Sequence, residues 1–231
     1  MSRRIGNLIT RGGLLGLVAM VAIGPAVSVA EEFAWQPGAT GWIDLLADPD
    51  EWKRVSPSPA KFPLVARSPW RFAPDRSVLH CDATGVYELF FHRRDWGDGV
   101  LHVEWRYLPV PGAAEKNDSG VMFRVSPDRK LALQAQLAGR GLGRIAGDQL
   151  RDGNRVHVRV GQPSPALAKP IGEWNTLELT FRGRHVRLVV NGQLTAEMND
   201  LDSPAGRIGL QAEYWPIEFR HVRFKPASDF P

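Results

Sequence analysis

Beyond its first thirty residues the chain alternates apolar and polar side chains with a period of two, the signature of half-buried β-strands. In His102–Leu108, Val103, Trp105 and Tyr107 alternate with His102, Glu104 and Arg106. Val121, Phe123 and Val125 alternate with Met122 and Arg124, and Leu131, Leu133, Ala135 and Leu137 with Gln134 and Gln136. Similar runs cover Arg155–Val160, Leu177–Phe181, Val186–Val190, Arg207–Ala212 and Ile217–Phe224. Asn191-Gly192 predicts a hairpin, because both residues tolerate positive φ. Pro216 cannot donate to a ladder and marks a bulge or an edge. Many short strands, close turns and no convincing amphipathic helix predict an all-β sandwich of two antiparallel sheets.

The first thirty residues break this rhythm. Arg3, Arg4 and Arg11 precede the apolar run Leu14–Ile23, Pro25 ends it, and Ser28-Val29-Ala30 offers small residues for cleavage. The pattern predicts a signal peptide over 1–30 and a single domain over 31–231, with the protein exported to the periplasm or beyond the cell. The run is shorter than the roughly twenty residues that span a bilayer, so no stable membrane anchor is expected after cleavage. Between the leader and the strands lies Ser56–Pro74, whose prolines predict an extended loop packed by Phe62, Trp70 and Phe72.

Composition narrows the function. The 231 residues contain 23 glycines and 18 prolines, which suits short elements joined by turns. Of the 29 basic residues three lie in the leader, leaving 26 against 25 acidic ones. That near-neutral balance removes the main argument for a nucleic-acid partner. One cysteine, Cys81, excludes an internal disulfide and a CxxC metal site, and it is expected to be a buried small side chain. The chain has no HExxH, no Walker loop and no GxSxG elbow, and its glycine run around Gly141 reads as a loop. Asp48-Pro49-Asp50-Glu51 reads as a solvated turn rather than a calcium site.

The candidate chemistry sits on the polar sides of the strands. His102, Glu104 and Arg106 share one side of a strand, Gln134 and Gln136 one side of another, and Gln211 and Glu213 one side of a third. If these strands are neighbours, one sheet presents carboxylates, guanidinium groups and amides together. Such a surface suits a saccharide, with Trp215 or Trp96 as an aromatic platform, and a carboxylate there can move protons. The competing reading is the wet side of an antiparallel sheet.

Across Gly41–Pro226 the chain resembles the 3-keto-disaccharide hydrolase domain family. The blocks that carry the resemblance are Gly41-Trp42-Ile43-Asp44-Leu45-Leu46, Glu104-Trp105-Arg106 and Asn117-Asp118-Ser119-Gly120-Val121-Met122-Phe123-Arg124. Three more follow in order: Gly172-Glu173-Trp174-Asn175-Thr176 with Asn191-Gly192, Gly206-Arg207-Ile208-Gly209-Leu210-Gln211, and Ile217-Glu218-Phe219-Arg220. The resemblance implies a concanavalin A-like jelly roll acting on oxidised sugars. A 3-keto group acidifies the C2 hydrogen, so the glycosidic oxygen can leave by elimination before water adds back. The chemistry needs a base near C2, a group for the developing enolate, and an acid for the leaving oxygen.

Glu104 is the expected carboxylate, with Arg106 or Arg124 on the keto oxygen. His102, Gln134, Gln136, Gln211, Glu213 and Trp215 are the expected substrate contacts. No cofactor is implied, no metal-binding residues are assigned, and a divalent metal ion is left open. The chain departs from the family pattern in the arginine-rich loop after Gly139, in the strand of His157 and at two central positions. Gln134 stands where members often have a glutamate, and Asp118 where an asparagine is common before Ser-Gly. An enzyme on 3-keto-glycosides requires Glu104, Arg106, Arg124, Gln136 and Glu213 to converge in one pocket. A carbohydrate-binding module would instead show a shallow groove of tryptophans, and an interaction domain a broad apolar patch.

Overall fold

The computed structural model describes residues 35–112, 117–138 and 140–229, so the leader expected over 1–30 lies outside the described residues. In chain order the strands are β1 (Ile43–Asp44), β2 (Trp52–Val55), β3 (Trp70–Phe72), β4 (Val78–Cys81) and β5 (Tyr87–Trp96). Then come β6 (Gly99–Tyr107), β7 (Gly120–Val125), β8 (Ala132–Gln136), β9 (Ile145–Arg151) and β10 (Asn154–Val160). The last five are β11 (Asn175–Arg182), β12 (His185–Val190), β13 (Gln193–Met198), β14 (Gly206–Glu213) and β15 (Ile217–Pro226). The helical elements among the described residues are short 3-10 turns, one of them the Pro49–Glu51 segment capped by Asp48.

Two antiparallel sheets result. The first runs β13-β12-β11-β6-β15-β4-β3, with β1 also paired to β15; the second runs β10-β9-β8-β7-β14-β5-β2. Alternation decides which side chains meet between them. Leu101, Val103 and Trp105 of β6, Leu177 and Leu179 of β11, and Phe219 of β15 pack into one core with Val121 and Phe123 of β7 and with Leu133, Leu210 and Ala212. Each large side chain so buried contributes about 1.5–3 kcal/mol.

Sequence neighbours are often not sheet neighbours. Strand β14 lies between β7 and β5, and β15 between β6 and β4, so the end of the chain supplies a central strand to each sheet. The expected hairpin at Asn191-Gly192 joins β12 to β13, with φ of 48° and 80° at its two residues. The proline-rich segment is irregular only as far as Pro69. Trp70–Phe72 pairs with β4, and Trp70 stacks on Phe90 at 4.9 Å between ring centroids. Cys81 is fully buried, and that burial pushes its thiol far above its ordinary pKa.

Candidate functional site

The expected site residues lie in different parts of the sandwich. His102, Glu104 and Arg106 project from the outer face of the first sheet, because their alternating neighbours Val103, Trp105 and Tyr107 fill the core. Gln134, Gln136, Gln211 and Glu213 project from the outer face of the second sheet, opposite the inward Leu133, Ala135, Leu210 and Ala212. The convergence expected of Glu104, Arg106, Arg124, Gln136 and Glu213 is therefore corrected: the core separates the two groups.

Arg124 belongs to neither outer face. An irregularity in the pairing of β7 with β14, with a φ of +51° at Arg124, breaks the alternation there. Its guanidinium turns inward over the Phe181 ring at 4.7 Å and donates to the Trp96 carbonyl at 2.6 Å and to Asp98 at 3.2 Å. Trp215 and Trp96, expected as sugar platforms, are both in the core. The Trp215 indole N–H donates to the Leu108 carbonyl at 2.8 Å.

On the first sheet the charges neutralise one another. The Glu104 carboxylate accepts from Arg220 Nε at 2.6 Å, lies 2.9 Å from His221 Nδ1 and is 3.7 Å from His102 Nε2. Burial alone would raise its pKa, but His102, His221 and Arg220 together lower it to about 2. Burial pulls His102 down, and the Glu104 and Glu178 carboxylates outweigh it, so the ring is held above its ordinary value. Arg106 donates to Glu218 at 2.7 Å and, like Arg220, stacks on Trp174. A carboxylate held this firmly in its ionised form is a poor general base.

The second sheet keeps like charges together. Here the Asp118-Ser119-Gly120 sequence performs three separate tasks. Asp118 forms an isolated antiparallel bridge with Glu213, making the two carboxylates cross-strand neighbours. The buried Ser119 hydroxyl donates to the Gln211 carbonyl at 2.7 Å and ties β14 to this segment. Gly120 leaves β7 bare between β8 and β14. A Cβ there would lie 1.9 Å from Gln134 Nε2, so the missing side chain is what allows Gln134 to reach across β7.

The result is a directed amide chain. Gln136 Nε2 donates to Asp118 at 2.7 Å, and Gln134 Nε2 donates to Gln136 at 2.8 Å and to Gln211 at 2.7 Å. Gln211 Nε2 donates in turn to Glu213 at 2.8 Å and to the Tyr87 hydroxyl at 3.2 Å. Half-burial and then the Asp118 charge raise the Glu213 pKa to about 7. Burial also raises Asp118, against the Ser119 backbone N–H and the Gln136 amide, which lower it. Burial, followed by the Glu213 charge, raises Tyr87 and keeps its hydroxyl protonated. Two adjacent carboxylates with raised pKa values favour a state in which the pair retains a proton near neutrality.

Beside this chain lies a hollow of about 350 Å³, whose lining includes Gln134, Gln211, Tyr87, Leu89, Phe91 and Met122. Pro57 and Pro59 of the proline-rich loop wall it, and Phe62 packs edge-on against Tyr87 at 4.9 Å. The sequence reading missed Asp118 as a functional carboxylate and Tyr87 altogether. Asp118 was legible as a departure from the family pattern; the face on which Tyr87 lies depends on pairing with β14, which sequence spacing does not reveal. Among the described residues no cluster of three or more His, Cys, Asp or Glu side chains is arranged to hold a metal ion.

This is a sandwich of two antiparallel sheets with a concanavalin-like jelly-roll fold. It is similar to a putative glycosyl hydrolase from Parabacteroides distasonis, with a TM-score of 0.55, 15% identity, and coverage of 80% of this chain and 93% of that one. It is also similar to carbohydrate-binding module CBM66 from Bacillus subtilis (TM-score 0.52, 13% identity, 74% of this chain and 93% of that one). A prokaryotic β-1,3-1,4-glucanase (lichenase) from a mouse hindgut metagenome gives a TM-score of 0.52 at 9% identity over 80% of this chain and 98% of that one. At such identities these likenesses concern the fold alone. No curated protein matches the sequence. The chain belongs to the family of the 3-keto-alpha-glucoside-1,2-lyase-like domain, whose model matches residues 41–225.

Proposed function

We propose that the protein is an exported glycoside-processing enzyme acting on 3-keto-glycosides or 3-keto-disaccharides, and that its active site is the outer face of the second sheet. In this reading residues 1–30 are a signal peptide, 31–231 the jelly-roll domain, and the working compartment the periplasm or the extracellular space. The observation that carries it is the Asp118–Glu213 pair, joined through Gln136, Gln134 and Gln211 beside a hollow of suitable size. Family membership supplies the substrate class.

Asp118, ionised, takes the C2 proton, and the C–H electron pair becomes the enolate of the C3 ketone. The Tyr87 hydroxyl accepts from Gln211 and keeps its own proton for that developing oxyanion. The enolate then collapses: the C3 carbonyl re-forms, a C1–C2 double bond forms, and the C1–O glycosidic bond breaks. Glu213, protonated, gives its proton to the departing oxygen. Water adding OH at C1 and H at C2 completes a net hydrolysis; without it the enzyme is a lyase. Relative to the family pattern the carboxylate absent at Gln134 is matched by one gained at Asp118, and Gln136 joins the two positions.

The test is turnover of 3-keto-trehalose and 3-keto-lactose by the purified protein, with and without chelator, followed by the conjugated ketone and the released sugar. Glu213→Gln and Asp118→Asn are each expected to lower kcat by about 10²–10⁴. Unchanged kcat in both variants would remove this face from the chemistry. The likeness to a carbohydrate-binding module supports a second reading, in which the same hollow holds a saccharide without reaction. That reading requires saturable binding of a 3-keto-glycoside with no product formed.

A further inference from the structure

The hollow lined by Gln134 and Gln211 continues into a second one of about 470 Å³, sharing Val55, Phe91 and Arg129 with it. The character changes along the way. Around the second hollow stand Lys53, Arg93, Arg129 and Arg207, and no carboxylate lines it. Gly209 permits the continuity: a Cβ there would lie 2.2 Å from the Phe91 ring, so the ring lies directly over the β14 backbone as a floor.

These cations are unlike the arginines packed elsewhere. Arg54, Arg106 and Arg220 each hold a carboxylate at 2.6–2.7 Å. Lys53, Arg93 and Arg129 are exposed and have no side-chain partner among the described residues. Arg207 has Asp95 only at 3.7 Å, and its buried Nε makes no hydrogen bond. The nearby Asp128 is already engaged by the Ser126 hydroxyl and by Lys130. His92, at the same wall, is brought down to about 4 by burial and by Arg94, so it adds no charge near neutrality.

We infer that this second hollow is an anion subsite, and that the preferred substrate is a glycoside whose aglycone carries a carboxylate or a sulfate. The inference rests on the reading of the outer face as a saccharide groove. On β14 the Cα atoms of Glu213, the proposed acid, and Gly209, under the Phe91 floor of the second hollow, are roughly 13 Å apart, at about 3.3 Å per residue. The charge therefore belongs to the leaving aglycone and not to the reacting ring. Guanidinium forks match the planar carboxylate and the oxygens of a sulfate, and apolar Phe91 and Val55 carry the connecting part of the ligand.

The experiment measures binding by calorimetry on the full-length protein, with ligands that need not react: a neutral disaccharide, one ending in glucuronate, and one ending in a sulfate ester. An acidic disaccharide is expected to bind about tenfold more tightly than the neutral one at low salt, with the advantage shrinking at high ionic strength. The ratio falls to about one in Arg93→Gln/Arg129→Gln, whose exposed sites leave the melting temperature in place. Arg71→Gln, which removes a charge from the first sheet, keeps the ratio. Preference for glucuronate alone or for sulfate alone identifies the anion. Equal binding of neutral and acidic ligands, or an acidic preference that survives the double variant, overturns the subsite. Failure to turn over any 3-keto-glycoside, with the acidic preference intact, counts against the proposed reaction and leaves the subsite standing.

Discussion

On the outer face of the first sheet, Glu104 has Arg220 and two histidines within 4 Å. On that of the second, Glu213 has an amide as its donor and another carboxylate as its cross-strand neighbour. Both faces arise from the same alternation of polar and apolar residues. The first settles its charge internally, which fixes a sheet surface and leaves a carboxylate with little affinity for a proton. The second leaves charge unbalanced and gives the amides nothing to do except hold two acids near each other. Polarity in a strand thus says that a face avoids the core; whether the face can do chemistry depends on who its neighbours are.

The largest effect expected from breaking this contrast is on turnover, where Glu213→Gln and Asp118→Asn lose about 10²–10⁴ in kcat. Next comes a rescue. In Asp118→Asn/Gln134→Glu the carboxylate moves to the far side of Gln136, and steady-state assays should recover at least about tenfold over Asp118→Asn alone. A double variant no faster than Asp118→Asn alone would show that the two positions are not interchangeable.

Glu104→Gln should behave in the opposite way. It leaves Arg220 and two imidazoles without their carboxylate, so chemical denaturation should show a loss of about 3 kcal/mol, with kcat of the folded protein retained. Loss of kcat at unchanged stability would return Glu104 to the mechanism.

Acid and base should also separate the faces. Glu213 has a raised pKa in the folded protein, so its contribution to stability is complete below about 4.5 and is lost as pH rises through about 7. Glu104 has a lowered one, so its contribution is complete above about 4.5 and is lost as pH falls through about 2. Denaturation across pH should therefore lose its neutral slope in Glu213→Gln and its acid slope in Glu104→Gln. The smallest effect is that of Gly120→Ala, which displaces Gln134 at a cost of about 1 kcal/mol and loosens the amide chain. KM should rise by several fold, and a crystal structure should show the Gln134–Gln211 bond broken.

Much of the architecture was legible in the sequence: the period of two, the Asn191-Gly192 hairpin and the ordered family blocks pointed to the same sandwich. The composition of each face was not, for a topological reason. Strand β6 pairs with β11 and β15, and β14 with β5 and β7, so the partners of a polar residue come from distant parts of the chain. His102 and Gln211 look alike in a sequence window and end on opposite sides of the core. Arg124 followed its expected alternation until an irregular pairing turned it inward, and Trp215 and Trp96 filled the core that a sandwich of this width requires. The glutamate-to-glutamine departure at 134 suggested a loss; only the position of Asp118 beside Gln136 shows where a carboxylate reappears.

The placement of β14 and β15 at the centre of both sheets has a consequence for how the molecule is made. Until the stretch from Gly206 onward has emerged, each sheet is split into two halves with exposed edges facing an empty lane. Neither half carries the Asp118–Glu213 pair, because Glu213 arrives with the strand that fills the gap. A nascent or C-terminally clipped product thus lacks the Asp118–Glu213 pair and is open to edge-to-edge association, and the pair and the protection from aggregation are acquired in the same event.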